Sequence, residues 1–190
     1  MKKTIIFIAL SALVIWGVYD ISKTDSKSFN NPQREQSDIA DAKIGQAIGL
    51  EQGNEAPNFT LSAFEGEALT LADYRGKKVL INMWASWCPP CKAEMPDMQQ
   101  FYQKHQADGI EVLSINLTEA ENNKEDVSAF ISDYEITFPV ALDEKSQVAD
   151  QYQVTTIPTT YIVDSAGNIE RKIVGPMTYE MMEEIMSQVN

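Results

Sequence analysis

Trp84-Ala85-Ser86-Trp87-Cys88-Pro89-Pro90-Cys91 is the stretch on which the reading of this chain turns. Before it runs Lys78-Val79-Leu80-Ile81-Asn82-Met83-Trp84, an apolar run with charge at its start and proline soon after its end, as expected of a buried strand. After it Met95, Met98, Phe101 and Tyr102 recur at three- and four-residue steps, the period of a helix. The two cysteines therefore fall at a strand-to-helix turn, at the opening of the helix. That place offers unpaired backbone N–H groups and the positive end of the helix dipole. Both favour a thiolate and lower a cysteine pKa.

Residues i and i+3 of a first helical turn share a face and can close a disulfide. Pro90 suits that turn because its φ is fixed and it has no N–H to leave unpaired. Cys88, at the turn, is expected to be the exposed nucleophile, and Cys91 the more buried resolving thiol. Other uses of the pair fit less well. A zinc site takes about four ligands, and the chain has these two cysteines and one histidine, His105. A purely structural disulfide across so short a loop would remove little unfolded-state entropy. A CxxC pair beside a strand–helix–strand pattern points to redox chemistry.

The 190 residues allow one domain of ordinary size plus an appendage, and 44% apolar content supports a core. A net charge of −13 argues against nucleic acid as a partner, since phosphate binding needs clustered Lys and Arg. Residues 1–23 differ in kind. Lys2 and Lys3 precede Thr4–Tyr19, an uncharged run with no polar face. The small-x-small pattern of a cleavage site is missing from Gly17-Val18-Tyr19-Asp20-Ile21-Ser22-Lys23, which favours a retained single-span membrane anchor over a cleaved signal peptide. The basic amino terminus would stay in the cytoplasm, leaving the rest of the chain outside. Disulfides persist there. Residues 24–53, rich in Ser, Asn, Gln, Asp and Lys, are expected to be a flexible linker, with the folded domain over 54–190.

In chain order, Phe59-Thr60-Leu61 and Ala68-Leu69-Thr70 read as a hairpin around Glu65-Gly66, and Leu71–Tyr74 as a helical turn ended by Gly76. Pro96 is expected to kink the helix that carries the cysteines. Strands are expected at Ile110–Ile115, Thr159–Val163 and Ile169–Val174, with a short strand-like segment at Phe138–Leu142. Helices are expected at Lys124–Tyr134, Val148–Tyr152 and Tyr179–Val189. Alternating strands and helices that finish in a hairpin and a helix indicate an α/β fold with a mixed central sheet.

Trp84-Ala85, Trp87-Cys88, Pro90-Cys91 and Pro96 together resemble the thioredoxin signature, and Thr156-Ile157-Pro158-Thr159, about 65 residues on, resembles that fold's cis-proline loop. The two-strand opening, the charged insertion around Asn116–Asp126 and the run Cys91-Lys92-Ala93-Glu94 with Pro96 are similar to one branch, the membrane-anchored extracytoplasmic thiol–disulfide oxidoreductases of the TlpA/ResA type. The resemblance implies a thioredoxin-like fold with an amino-terminal β-hairpin extension and a helix insertion. It implies a cis Pro158 beside the cysteines, with Ile157 offering backbone to a substrate chain and with Trp87 and Pro89 shaping the docking groove. Thioredoxin has an aspartate in the strand, six residues before its first cysteine; Asn82 stands there and cannot take a proton. Glu94 is the expected replacement, with a pKa raised by burial and a proton-transfer role toward Cys91. Glu119 matches a second glutamate of the branch near the active site.

The activity implied is reduction of protein disulfides by a Cys88–Cys91 dithiol cycle, with no metal or organic cofactor. The expected partners are a disulfide-containing protein and a membrane thiol protein that resupplies electrons. Pro89-Pro90 lacks the histidine of strongly oxidising CPHC or CGHC motifs, which favours a reductant. The branch commonly reduces apocytochrome c cysteines, and some members serve spore-envelope assembly. The alternatives are a disulfide-forming oxidant and, with less support, a copper metallochaperone, which would want CxxxC and a ligand histidine near the strand end. A peroxidase on this fold would use a lone cysteine in a Thr-x-x-Cys setting, which the sequence lacks.

Overall fold

The structure is a computed structural model that describes residues 47–190. The anchor expected over residues 1–23, and the linker expected over 24–53 as far as residue 46, lie outside the described residues. The strands are β1 (Thr60–Ala63), β2 (Ala68–Thr70), β3 (Lys78–Trp84), β4 (Ile110–Asn116), β5 (Val140–Leu142), β6 (Thr159–Val163) and β7 (Ile169–Val174). The helices are α1 (Pro89–His105), α2 (Lys124–Asp133), α3 (Gln147–Gln151) and α4 (Tyr179–Gln188). The seven strands form one sheet in the order β2-β1-β5-β4-β3-β6-β7. β3, β4 and β5 run parallel, and the remaining pairings are antiparallel. This is the mixed α/β sheet read from the sequence, with the hairpin at one edge and α2 as the inserted helix.

β3 is central because both of its faces are covered. Val79, Ile81 and Met83 enter one apolar cluster with Tyr152 and Tyr161. Leu80 and Trp84 enter the other with Cys91, Met95, Met98, Phe101 and Met182. Successive side chains of a strand point to opposite faces, so a strand covered on both sides must be apolar throughout, as Lys78–Trp84 nearly is. α1 and α4 lie on the Leu80–Trp84 side. There Phe130 of α2 stacks on Trp84 with ring centroids 4.3 Å apart.

α1 continues through Pro96 as one element. α3, five residues long, is too short to hold itself. It is fastened by the buried Asp143, whose carboxylate accepts hydrogen bonds from the backbone N–H groups of Gln147 (2.9 Å), Val148 (3.0 Å) and Ala149 (2.9 Å).

The folded part begins earlier than composition indicates, and this corrects the expected linker boundary. Within residues 47–55, Glu55 N donates to Ala47 O and Gly53 N to Ile169 O, and Ile169 N donates back to Asn54 O. Polar residues here satisfy main-chain partners on the start of β7, a pairing that composition does not report. Arg75 fastens the same corner. It pairs with Glu55 and donates to Ala166 O at 2.7 Å. Gly167 is required beneath it, since a Cβ there would meet Arg75 Nη1 at 0.9 Å and its φ is +90°. Gly167→Ala is expected to destabilise the domain by about 1–3 kcal/mol, read as a lower denaturant midpoint at unchanged slope. An unaltered midpoint would show that Arg75 moves aside freely.

Candidate active site

Cys88 is the N-cap of α1, with Pro89 and Pro90 opening the helix. A helix leaves its first N–H groups without intrahelical partners. One of them, Cys91 N–H, donates to Cys88 Sγ at 3.2 Å. Cys88 and Cys91 form a disulfide with their Cα atoms 5.3 Å apart. The expected order of exposure holds, but the margin is small. Cys88 is 3% exposed and Cys91 not at all. The exposed nucleophile read from the sequence is therefore, in this oxidised state, a nearly covered sulfur. The cover comes from the loop before β6. The Ile157–Pro158 bond is cis, and Ile157 O lies 3.7 Å from Cys88 Sγ. Ile157 is half-buried and Pro158 buried, while Pro89 is exposed and Trp87 is 47% exposed. The structure thus brings Trp87, Pro89, Ile157 and Pro158 around the cysteines.

Glu94 lies one helical turn beyond Cys91 and is 1% exposed. Its Oε1 accepts from Asn82 Nδ2 at 2.8 Å, and its Oε2 from Met177 N at 3.1 Å. Burial raises its pKa to about 7, against the lowering effect of the two hydrogen bonds. Asn82, noted in the sequence only as a residue that cannot take a proton, is the group that holds the one that can. β3 sets it opposite Thr160 of β6, and its Nδ2 also donates to Thr160 Oγ1 at 3.0 Å.

Glu119 makes none of the side-chain contacts that hold the active-site turn. It sits in a short helical turn, Thr118–Ala120. Its side chain is exposed and makes no hydrogen bond among the described residues. The glutamate at the active-site turn is Glu121. The backbone becomes extended there, with φ −76° and ψ 149°, and the carboxylate reaches back to Ser86 and Asn116. The signal was available in part. Asn116 ends β4 in register with Trp84, so residues that follow Asn116 run beside those that follow Trp84. Helical phase within the loop decides which of two glutamates two positions apart makes the contact, and composition does not encode it. His105 stands at the far end of α1 from the cysteines, hydrogen-bonded to Glu183 at 2.8 Å.

Residues 52–172 match the model of the AhpC/TSA family. The chain belongs to the AhpC/TSA family. Among its relatives in that family, the thioredoxin-like protein YneN of Bacillus subtilis is 45% identical over 137 residues, covering 72% of this chain and 79% of that protein. The thiol–disulfide oxidoreductase ResA of Bacillus subtilis is 36% identical over 151 residues, covering 80% of this chain and 83% of that protein. The crystal structure of StoA from Bacillus subtilis superposes with a TM-score of 0.62 at 37% identity, covering 68% of this chain and 96% of that one. With its paired cysteines, this AhpC/TSA-family protein is a thiol–disulfide oxidoreductase of the ResA/StoA type.

The Glu94 carboxyl holds its proton more tightly in the folded chain than in the unfolded one, where 4.5 is the ordinary value. The resulting stabilisation is fully present below that value and is lost as pH rises through about 7. Urea midpoints of the oxidised protein between pH 4 and pH 8 are expected to carry a fall of up to about 3 kcal/mol from this group. The fall should disappear in Glu94→Gln. A variant with the same slope as the parent would assign the titration to another residue.

Proposed function

We propose that this oxidoreductase reduces protein disulfides outside the cytoplasm, held at the membrane by residues 1–23. Apocytochrome c cysteines before haem attachment are the substrate this reading favours. The observation that supports it most is the Cys88–Cys91 disulfide at the opening of α1, overlaid by Ile157 and backed by a buried carboxyl whose pKa burial raises to about 7. The lack of a histidine between the cysteines favours the reducing direction.

In the proposed cycle the protein starts as the dithiol. Cys88, as thiolate, attacks one sulfur of the substrate disulfide. A Cys88–substrate mixed disulfide forms, and the other substrate sulfur leaves as a thiolate that takes a proton. Cys91 gives its proton to the Glu94 carboxylate. Its thiolate then attacks Cys88 Sγ, closes the Cys88–Cys91 bond and expels the second substrate thiolate. Two electrons pass from the dithiol to the substrate. A membrane thiol protein returns them to Cys88–Cys91. Ile157 O and the exposed face of Trp87 are the groups placed to border the substrate chain. A base whose pKa lies near the working pH is the efficient one for such a transfer, and Glu94 meets that condition.

The test is to stop the cycle half-way. Cys91→Ala is expected to retain its substrate on Cys88 as a mixed disulfide, released by dithiothreitol and identified by mass spectrometry. Apocytochrome c would establish the favoured substrate and a spore-envelope protein the other use of this branch. Recovery of no linked protein would count against the mechanism. In Glu94→Gln, resolution of the mixed disulfide should slow by about a hundredfold near neutral pH, and the step in its pH profile near 7 should vanish. An unchanged profile would remove Glu94 from the proton path.

A further inference from the structure

Glu121 has no part in the sulfur exchange described above, yet its carboxylate is the most heavily engaged acceptor at the active-site turn. Oε1 accepts from Ser86 N at 2.7 Å and from Asn116 Nδ2 at 2.6 Å, and Oε2 accepts from Ser86 Oγ at 2.5 Å. Three hydrogen bonds on one side chain fix its position. Asn116 is itself buried, and its Oδ1 accepts from Thr118 Oγ1 at 2.9 Å. Next to Glu121, Ala120 O accepts from Trp87 Nε1 at 2.9 Å. Leu117 N donates to Trp84 O at 2.9 Å. The five residues after β4 are therefore riveted to residues 84–87, immediately before the reactive cysteine.

What this holds in place is Trp87, the large exposed ring beside Cys88. It forms one wall of an open groove whose other wall is α2, through Asp126, Ala129 and Asp133, with Lys92 also in the lining. A ring on a free turn would have to be ordered each time a chain docked, and that ordering weakens binding. A ring already held spares the complex that loss.

We propose that Glu121 is a positioning residue for protein substrates. Through Ser86 it fixes the turn that presents Trp87, so that the groove between Trp87 and α2 is preformed for a polypeptide flanking the target disulfide. The inference rests on the disulfide-reduction reading. It assigns Glu121 a role in substrate affinity and none in the chemistry. A small disulfide that reaches Cys88 without lying along the groove should be indifferent to it.

The experiment compares two probes on the full chain with dithiothreitol as electron source: a peptide with an internal Cys-x-x-Cys disulfide, and 2-hydroxyethyl disulfide. Glu121→Ala is expected to raise KM for the peptide about fivefold or more, with kcat and the small-disulfide rate within about twofold of the parent. Glu121→Gln keeps an oxygen for the Ser86 N–H and should recover most of the peptide KM. Should Glu121→Ala fail to fold, Ser86→Ala removes one of the three bonds and should show the same split at smaller size. An unchanged peptide KM, or a parallel loss on both probes, overturns the proposal and leaves the reduction reading intact. A parent protein that reduces neither probe overturns both.

Discussion

Covering β3 on both faces is the constraint from which the rest of the molecule follows. A strand with no solvent face has its register set by side chains above and below, and a slip of one residue would exchange the two sets. Once Val79, Ile81 and Met83 occupy one cluster and Leu80 and Trp84 the other, the end of the strand is fixed in space. The turn that follows must then deliver Cys88 to the start of α1. The same alternation places Asn82 on the α1 side, where the only polar residue in the middle of the strand meets the only carboxyl buried in that helix. The sulfur pair and the buried Glu94 carboxyl are thus positioned by one strand, from two of its residues.

Glu94 shows how competing effects are resolved. Two hydrogen bonds favour its ionised form and burial favours the neutral one; burial wins, and the carboxyl comes to rest near neutrality. A fully desolvated carboxyl without those donors would be held neutral and could not accept a proton, while one at the surface would be a carboxylate too weak to take one. The useful value arises from the balance.

Much of this was legible in the sequence, for reasons that can be named. Lys78–Trp84 and Thr159–Val163 are legible with their observed bounds because strands buried on both sides form largely apolar or β-branched runs, broken by Asn82 in the first and opened by Thr159 and Thr160 in the second. Glu94 was legible because its distance from Cys91 is one helical turn. The parts that were misread depend on contacts distant in sequence. Residues 47–53 look like a linker because nothing local marks their pairing with the start of β7. Glu121 is not marked in the sequence because its contact depends on how the loop seats against Ser86 and Asp143. Cys88 was expected to be open because its cover, Ile157, lies 69 residues away.

The donor that Met177 gives to Glu94 belongs to the main chain. Any amino acid other than proline at position 177 retains that N–H. The Met177 side chain itself is buried in the cluster with Cys91 and Met95, so it answers to packing, whereas the hydrogen bond to Glu94 does not depend on its identity. The part of the carboxyl's tuning that is vested in a peptide group thus survives a change of side chain, while the larger part, burial, rests on the residues packed around it.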